Sequence, residues 1–372
     1  MLYCLSHPIQ YQSPLIRHLV AGGLCITVAY GSGATGSAYH DREFGTTVKW
    51  DVPLLDGYDS VTLEEAKWEE QLMQQPADAI WVHGWSHPYA AVAWKVAARR
   101  RLPLLVRGET FLGCVRGGPI RRWMHRQVYS RRFRRAAAFL AVGSLNAQMY
   151  RAYGVPAERI YSVPYAVDNA FFQARAAEAR PGREALRESL QLEPGLPVVL
   201  FCGKLIAKKN AATLIEAMGR LNSRAALVLV GDGELKPELT ALAERVMPGR
   251  ARFVGFKNQT ELPAYYDMCD VFVIPSTFEP WGLVVNEVMN AGKPVLASHA
   301  VGSAADLVGP DNGGSFHATD AADLARVLKP YLEDEHVRQQ AGARSLEKIQ
   351  RWGFEEDRQG LMKAMEGLKR AA

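Results

Sequence analysis

Val271-Phe-Val-Ile-Pro275-Ser-Thr-Phe-Glu279-Pro-Trp-Gly282-Leu-Val-Val-Asn-Glu287-Val-Met-Asn-Ala-Gly292-Lys-Pro294 reads as an apolar strand that stops at a proline, opens at a glycine and runs into a helix, after which a second strand begins. Working outward, the same alternation recurs on both sides. Strand-like runs fall at 2–5, 25–29, 79–83, 104–107, 139–142 and 160–163. After a loose connector at 169–181 and a short helix near 184–191, they resume at 198–202, 226–230, 251–254, 271–274 and 294–297, with helices at 211–221, 235–246, 261–266 and 283–291. Strands that alternate with helices bury both faces of a parallel sheet, so the expected fold class is α/β. At 372 residues the chain exceeds what one hydrophobic core usually spans. Two doubly wound domains of similar size facing a cleft are expected, with ligands bound beyond the carboxyl ends of the strands. The boundaries read as 1–172, 173–345 and a C-terminal helix, 346–372, that packs back on the first domain. The segment from 323 onward is helical in pattern, broken at Trp352-Gly-Phe354.

An apolar fraction of 48% and a charged fraction of 22% are ordinary for a globular protein, and no uninterrupted apolar run approaches the length of a membrane span. The opening Met1-Leu-Tyr-Cys-Leu5 is strand-like, with no basic and apolar leader before it, so a cytoplasmic location is expected. Five cysteines stand singly, without metal-ligand spacing, and read as reduced, mostly buried small hydrophobes. No metal site is expected. Charge is uneven: residues 1–177 carry 20 Lys/Arg against 13 Asp/Glu, and 178–372 carry 24 against 26. Eight arginines between Arg116 and Arg135 interleave with Ile120, Trp123, Met124, Val128 and Phe133 at amphipathic-helix spacing. That pattern fits a solvated charged face as well as a patch for a membrane surface or an anionic acceptor. Nucleic acid is not expected, because no recognition motif accompanies the basic run.

Three strand-to-helix loops carry candidate chemistry. At Gly282-Leu283-Val284 the backbone can approach a ligand, and the following helix offers N–H groups without intrahelical partners, which suits an anion. Glu279 and Glu287 can accept hydrogen bonds from two hydroxyl-bearing parts of one ligand. In Phe201-Cys-Gly203-Lys204-Leu-Ile-Ala-Lys208-Lys209, Lys204 and Lys209 lie past a strand end, where cations neutralise a leaving diphosphate. Val230-Gly231-Asp-Gly233 is a third glycine turn that admits a phosphate or a base.

Together these elements resemble the retaining glycosyltransferases of family 4, whose two-domain fold is called GT-B, over nearly the whole chain. The resemblance implies that Glu279 and Glu287, with seven residues between them, are the paired donor-contacting glutamates of that family. It places the diphosphate-binding basic pair on Lys204 and Lys209, although the first is usually arginine, whose bidentate fork is lost here. Phe256 and Lys257 fall on the base-binding loop, with Gly203, Gly231, Gly282, Leu283 and Val284 also on the donor side. Asp270 matches a recurring aspartate read as structural. In the first half, Ser6-His-Pro-Ile-Gln10-Tyr-Gln12 replaces the glycine-rich loop of many relatives, and Gln12 is assigned to the donor. Many relatives carry a histidine beside the transferring sugar where this chain has Glu109; either Glu109 takes that role or His83 does from the neighbouring loop.

The activity implied is transfer of a hexose-type sugar from a nucleotide-diphospho-sugar to an acceptor hydroxyl, with retention of configuration, in surface polysaccharide or glycoconjugate synthesis. No cofactor is expected beyond that co-substrate, and no metal, since two lysines and a helix terminus supply the positive charge. Domain closure would limit hydrolysis. The expected partners are the nucleotide sugar, a glycan, lipid-linked or protein acceptor, and peripheral contact with the inner face of the cell membrane through 116–135. Alternatives on the same fold are a nucleotide-sugar epimerase, a glycan phosphorylase or a non-catalytic binding protein.

Overall fold

The computed structural model describes residues 1–31, 39–41, 46–48, 50–221 and 224–371. The chain forms two compact units. Met1–Ser37, Pro53–Asp168 and Trp352–Ala372 make the first, and Ala38–Val52 with Asn169–Arg351 the second. Each is built on one parallel sheet, as the alternating pattern predicts.

The first unit contains β1 (Leu2–Leu5), β2 (Thr27–Tyr30), β5 (Asp59–Thr62), β6 (Ile80–His83), β7 (Leu104–Gly108), β8 (Ala138–Ala141) and β9 (Ile160–Ser162), while the small antiparallel hairpin of β3 (Tyr39–Asp41) and β4 (Thr46–Val48), which falls between β2 and β5 in sequence, belongs to the second unit. The seven parallel strands run in the order β5-β2-β1-β6-β7-β8-β9. Successive residues of a strand face opposite sides, and the core divides accordingly. Leu2, Cys4, Ile80 and Val82 belong to one cluster, Tyr3, Leu5, Ala79 and Trp81 to the other. Both faces are therefore covered. Leu361 and Ala364 of the Phe354–Ala371 helix enter the second cluster, so this unit completes its core with residues from beyond position 352.

The second unit contains β10 (Val198–Cys202), β11 (Ala226–Val230), β12 (Ala251–Gly255), β13 (Val271–Ile274), β14 (Val295–Ser298) and β15 (Gly313–Phe316), all parallel, in the order β12-β11-β10-β13-β14-β15. In each sheet the strand order reverses once, between β1 and β6 and between β10 and β13. Such a switch point leaves a crevice at the carboxyl edge, because the flanking loops leave in opposite directions.

Three expectations are corrected. The connector 169–181 is not loose: Asn169–Ala179 is a helix with Phe172 and Ala176 buried. Its alanines favour the helix, and Pro181-Gly182 ends it. The alternation also misses β5 and β15, edge strands of sequence Asp-Ser-Val-Thr and Gly-Gly-Ser-Phe with little apolar content. The cysteines are all free, but only Cys4 and Cys269 are buried, and Cys25, in the turn before β2, is exposed.

Candidate functional site

In the second unit the predicted residues leave the sheet from the carboxyl ends of four adjacent strands, β12, β11, β10 and β13. The loops are stitched by backbone hydrogen bonds: Gly203 N–H donates to Val230 O (2.9 Å), Leu205 N–H to Asp232 O (2.8 Å) and Gly231 N–H to Gly255 O (2.8 Å). Gly231 has φ +133°, and a Cβ there would lie 2.0 Å from Gly203 O, so no other residue fits this approach. Beyond β10, Ala207–Lys209 forms a single tight turn and Asn210 takes a left-handed conformation (φ 55°) before the helix Ala211–Arg220. Asn210 Nδ2 donates to Pro275 O (3.1 Å), tying this turn to the loop after β13. The tie brings Lys209 Nζ onto Glu279 Oε2, with the two side chains 21% and 14% exposed.

Glu279 is held from its backbone. Its N–H donates to Ala300 O (3.2 Å), and its carbonyl accepts from Gly302 N–H (2.9 Å). Gly282, at φ +90°, makes the turn into the helix Val284–Asn290; a Cβ there would stand 3.0 Å from Glu279 Cγ. Trp281 Nε1 donates to Asn286 Oδ1 (3.0 Å) and locks the same turn. No side chain caps the helix at Leu283, whose own side chain is buried. Glu287 is not a solvated helix carboxylate: it is 1% exposed, and Tyr266 Oη donates to its Oε2. Burial, with the Glu287 charge added, pushes the neighbouring Cys202 thiol up to about 12. Lys257, after β12, donates to Glu261 Oε1 (3.1 Å) and lies over the Tyr265 ring. Phe256 and Lys204 stand half-buried in their loops. Asp270 ties the Arg183–Ser189 helix to β10, accepting from Arg183 (2.9 Å), Arg187 (2.8 Å) and Val198 N–H (2.8 Å).

In the first unit, Gln12, His83 and Glu109 follow or end β1, β6 and β7, again adjacent strands at a switch point. His83 and Glu109 form a pair, Nε2 to Oε1 3.6 Å, with side chains 13% and 32% exposed. Tyr3 Oη donates to Gln12 Oε1 (2.9 Å) and stands 3.2 Å from His83 Nδ1. Burial raises the Tyr3 pKa well above that of a free phenol, so it carries one proton. Tyr3 Oη thus stands between Gln12 and Nδ1 of His83, while Nε2 of the same ring faces Glu109. Tyr89 Oη fixes the His83 carbonyl. Tyr165 closes the cluster, its ring 6.0 Å from that of His83 and its hydroxyl raised by burial and by the Glu109 charge. Beneath it, Arg107 and Asp357, both fully buried, pair at 2.6 Å, and Arg107 donates to Pro164 O (2.9 Å).

The residues missed by sequence reasoning are Tyr3, Tyr165, Tyr266 and the pair Arg107–Asp357. No spacing signals them, since each acts across the tertiary structure; Tyr3 lies inside a strand-like run that reads as core. Among the described residues, no group of three His, Cys, Asp or Glu side chains is placed to hold a metal ion.

Two such switch-point crevices, one lined by lysines, glycine turns, half-buried Glu279 and buried Glu287, define a two-domain α/β protein. The chain belongs to the glycosyl transferases group 1, which it matches over residues 182–348, with a glycosyl transferase 4-like domain over residues 9–166. It is similar to the alpha-D-kanosaminyltransferase of Streptomyces kanamyceticus, 29% identical over 230 residues, or 59% of this chain and 56% of that protein. It is likewise similar to the D-inositol 3-phosphate glycosyltransferase of Xylanimonas cellulosilytica, 33% identical over 216 residues, or 56% of this chain and 51% of that one. The aligned region thus spans about half the length of these relatives. Among solved structures, Anabaena HepE in complex with UDP and glucose shares the fold, with a TM-score of 0.76 at 18% identity over 98% of both chains.

Proposed function

We propose that this protein transfers a hexose-type sugar from a nucleotide-diphospho-sugar to an acceptor hydroxyl, with retention of anomeric configuration, in the synthesis of a surface polysaccharide or glycoconjugate. The observation that carries the reading is the contact of Lys209 with Glu279 above the glycine-stitched loops of β10 and β11. A half-buried lysine held by a carboxylate keeps its place, and is set to neutralise a departing diphosphate together with Lys204. Glu279 keeps a second oxygen for a sugar hydroxyl, and Glu287, oriented by Tyr266, serves the nucleoside part. The β-side diphosphate oxygen takes the acceptor proton on the face from which it leaves. In the first unit, the pair His83–Glu109, backed by Tyr3 and Gln12, positions the sugar or the acceptor.

No metal is required on this reading, because the two lysines and the backbone N–H groups at Gly282-Leu283-Val284 supply the positive charge. Transfer that EDTA leaves unchanged is the matching check. The deciding experiment is a thermal-shift panel of nucleotide sugars, begun with UDP-glucose because HepE has been solved with UDP and glucose. Stabilisation by one donor, followed by NMR assignment of an unchanged anomeric configuration in the product, is the expected result. Donor consumed without acceptor to give a new sugar isomer would point to an epimerase instead.

A further inference from the structure

Among the described residues six large hydrophobic side chains are exposed, and five lie between positions 112 and 128. Leu112 (47%) precedes the Pro119–Phe133 helix, which carries Ile120 (77%), Trp123 (61%), Met124 (55%) and Val128 (60%). At about 100° per residue, these four fall within an arc of roughly 140° on one side of the helix. The opposite side is fastened to the first unit. Phe133 is buried, His125 Nδ1 bonds Tyr153 Oη (2.8 Å), and Arg132 donates to Trp85 O (3.0 Å) with its guanidinium 4.7 Å from the Trp94 ring. The apolar stripe is therefore a fixed outward face of a docked helix. Scattered exposed hydrophobics are ordinary, but a continuous stripe on one helix is not.

Arginines frame the stripe. No acidic residue occurs between Arg116 and Arg135, and Arg121, Arg126, Arg131 and Arg134 make no ion pair among the described residues. Three of them, with Trp123, line a shallow groove of about 410 Å³ beside the helix, floored by Tyr153 and Gly154. Phosphates fit such a groove; aliphatic Ile120, Met124 and Val128 do not need phosphate, and they do not stack on nucleobases. They need hydrocarbon. A second copy of the chain would set like-charged arginines against one another across a two-fold axis.

We propose that this helix docks the protein on an anionic phospholipid bilayer, with Ile120, Trp123, Met124 and Val128 entering the acyl boundary and Arg126, Arg131 and Arg134 holding lipid phosphates in the groove beside it. Binding of this kind combines buried apolar area with attraction to anionic lipid. It is read without substrate, and so stands or falls separately from the transfer reaction.

Flotation of the full chain with phosphatidylglycerol-containing vesicles, against phosphatidylcholine alone, tests it. The wild-type protein should float with anionic vesicles at low salt and be released at high salt. R126Q/R131Q/R134Q should weaken partitioning by about a hundredfold, at about fivefold per arginine. I120S/M124S/V128S should weaken it tenfold or more without lowering the thermal midpoint, since these side chains are exposed. Trp123→Phe should float as before but lose the fluorescence quenching that brominated lipids produce. Absence of flotation at low salt overturns the proposal, as does flotation that survives the serine variant, which would mark a phosphate-binding surface without insertion. Self-association that the serine variant abolishes, with no vesicle binding, would assign the stripe to a second copy.

Discussion

Lys209 and Glu279 lie seventy residues apart in sequence and share one contact, Nζ to Oε2, at neighbouring strand ends of a single sheet. The pair depends on Asn210, whose left-handed backbone and bond to Pro275 O set the two loops against each other. Neither charge is fully buried, so the pair stays open to solvent on one side.

Replacing either member should therefore be costly to transfer and mild for folding. Lys209→Ala and Glu279→Ala are each expected to lower kcat/KM by about a hundredfold, the loss of one charge-stabilising contact. The double variant should fall little further, because each single change already leaves the other residue misplaced. Rates near those of the wild type in both single variants would remove these residues from the chemistry.

Tyr266→Phe deletes the hydroxyl that donates to buried Glu287 and leaves the ring packed. A hydrogen bond to a buried carboxylate contributes about 1.5–3 kcal/mol, so the urea midpoint should drop accordingly. Donor affinity should weaken with it, as Glu287 loses its orientation. An unaltered midpoint would show that the bond contributes nothing.

Tyr3→Phe keeps the stack on Trp81, at 3.7 Å between ring centroids, but removes the hydroxyl between Gln12 and His83. With His83 no longer held at Nδ1, kcat should fall about tenfold while KM for the donor changes little, in the range of a lost orienting contact. Glu109→Gln should reproduce the fall from the other side of the imidazole. A Tyr3→Phe variant with wild-type kcat would leave His83 and Glu109 without the positioning role.

Asp357 is fully buried, its Oδ1 has no hydrogen-bond partner among the described residues, and burial pushes its carboxyl up to about 6 despite Arg107. A folded pKa above the ordinary 3.8 means that the native state keeps a proton the unfolded chain has released. The stability this group contributes is complete below pH 3.8 and is lost as pH rises through about 6. Urea unfolding across that window should show the wild type losing stability with rising pH through this group, and Asp357→Asn should remove that part of the slope. Identical pH dependence in the two proteins would contradict the assignment. Arg107→Met, which strands the carboxylate, should cost about 3–5 kcal/mol near neutral pH.

Much of the fold was legible because a parallel sheet writes itself as apolar runs, and Val198–Cys202, Ala226–Val230 and Val271–Ile274 fall where those runs do. Strands that serve as edges need fewer apolar residues, which is why Asp59–Thr62 and Gly313–Phe316 escaped. The spacing of Glu279 and Glu287 is local and can be read; the burial of Glu287 is not, because it is created by Tyr266, twenty-one residues away on another helix. His83 and Glu109 look like alternatives in sequence, and only the adjacency of β6 and β7 makes them one pair.

The first unit closes its core with the Phe354–Ala371 helix, where Gly360 meets the chain so tightly that a Cβ would lie 1.9 Å from Ser162 O, and where Asp357 answers the charge of Arg107. On the ribosome, residues 53–168 emerge long before their counter-ion and their last covering helix exist. A nascent chain stopped before residue 352 would hold an uncompensated arginine under an open sheet face, so translation must run through the whole second unit before the first can settle.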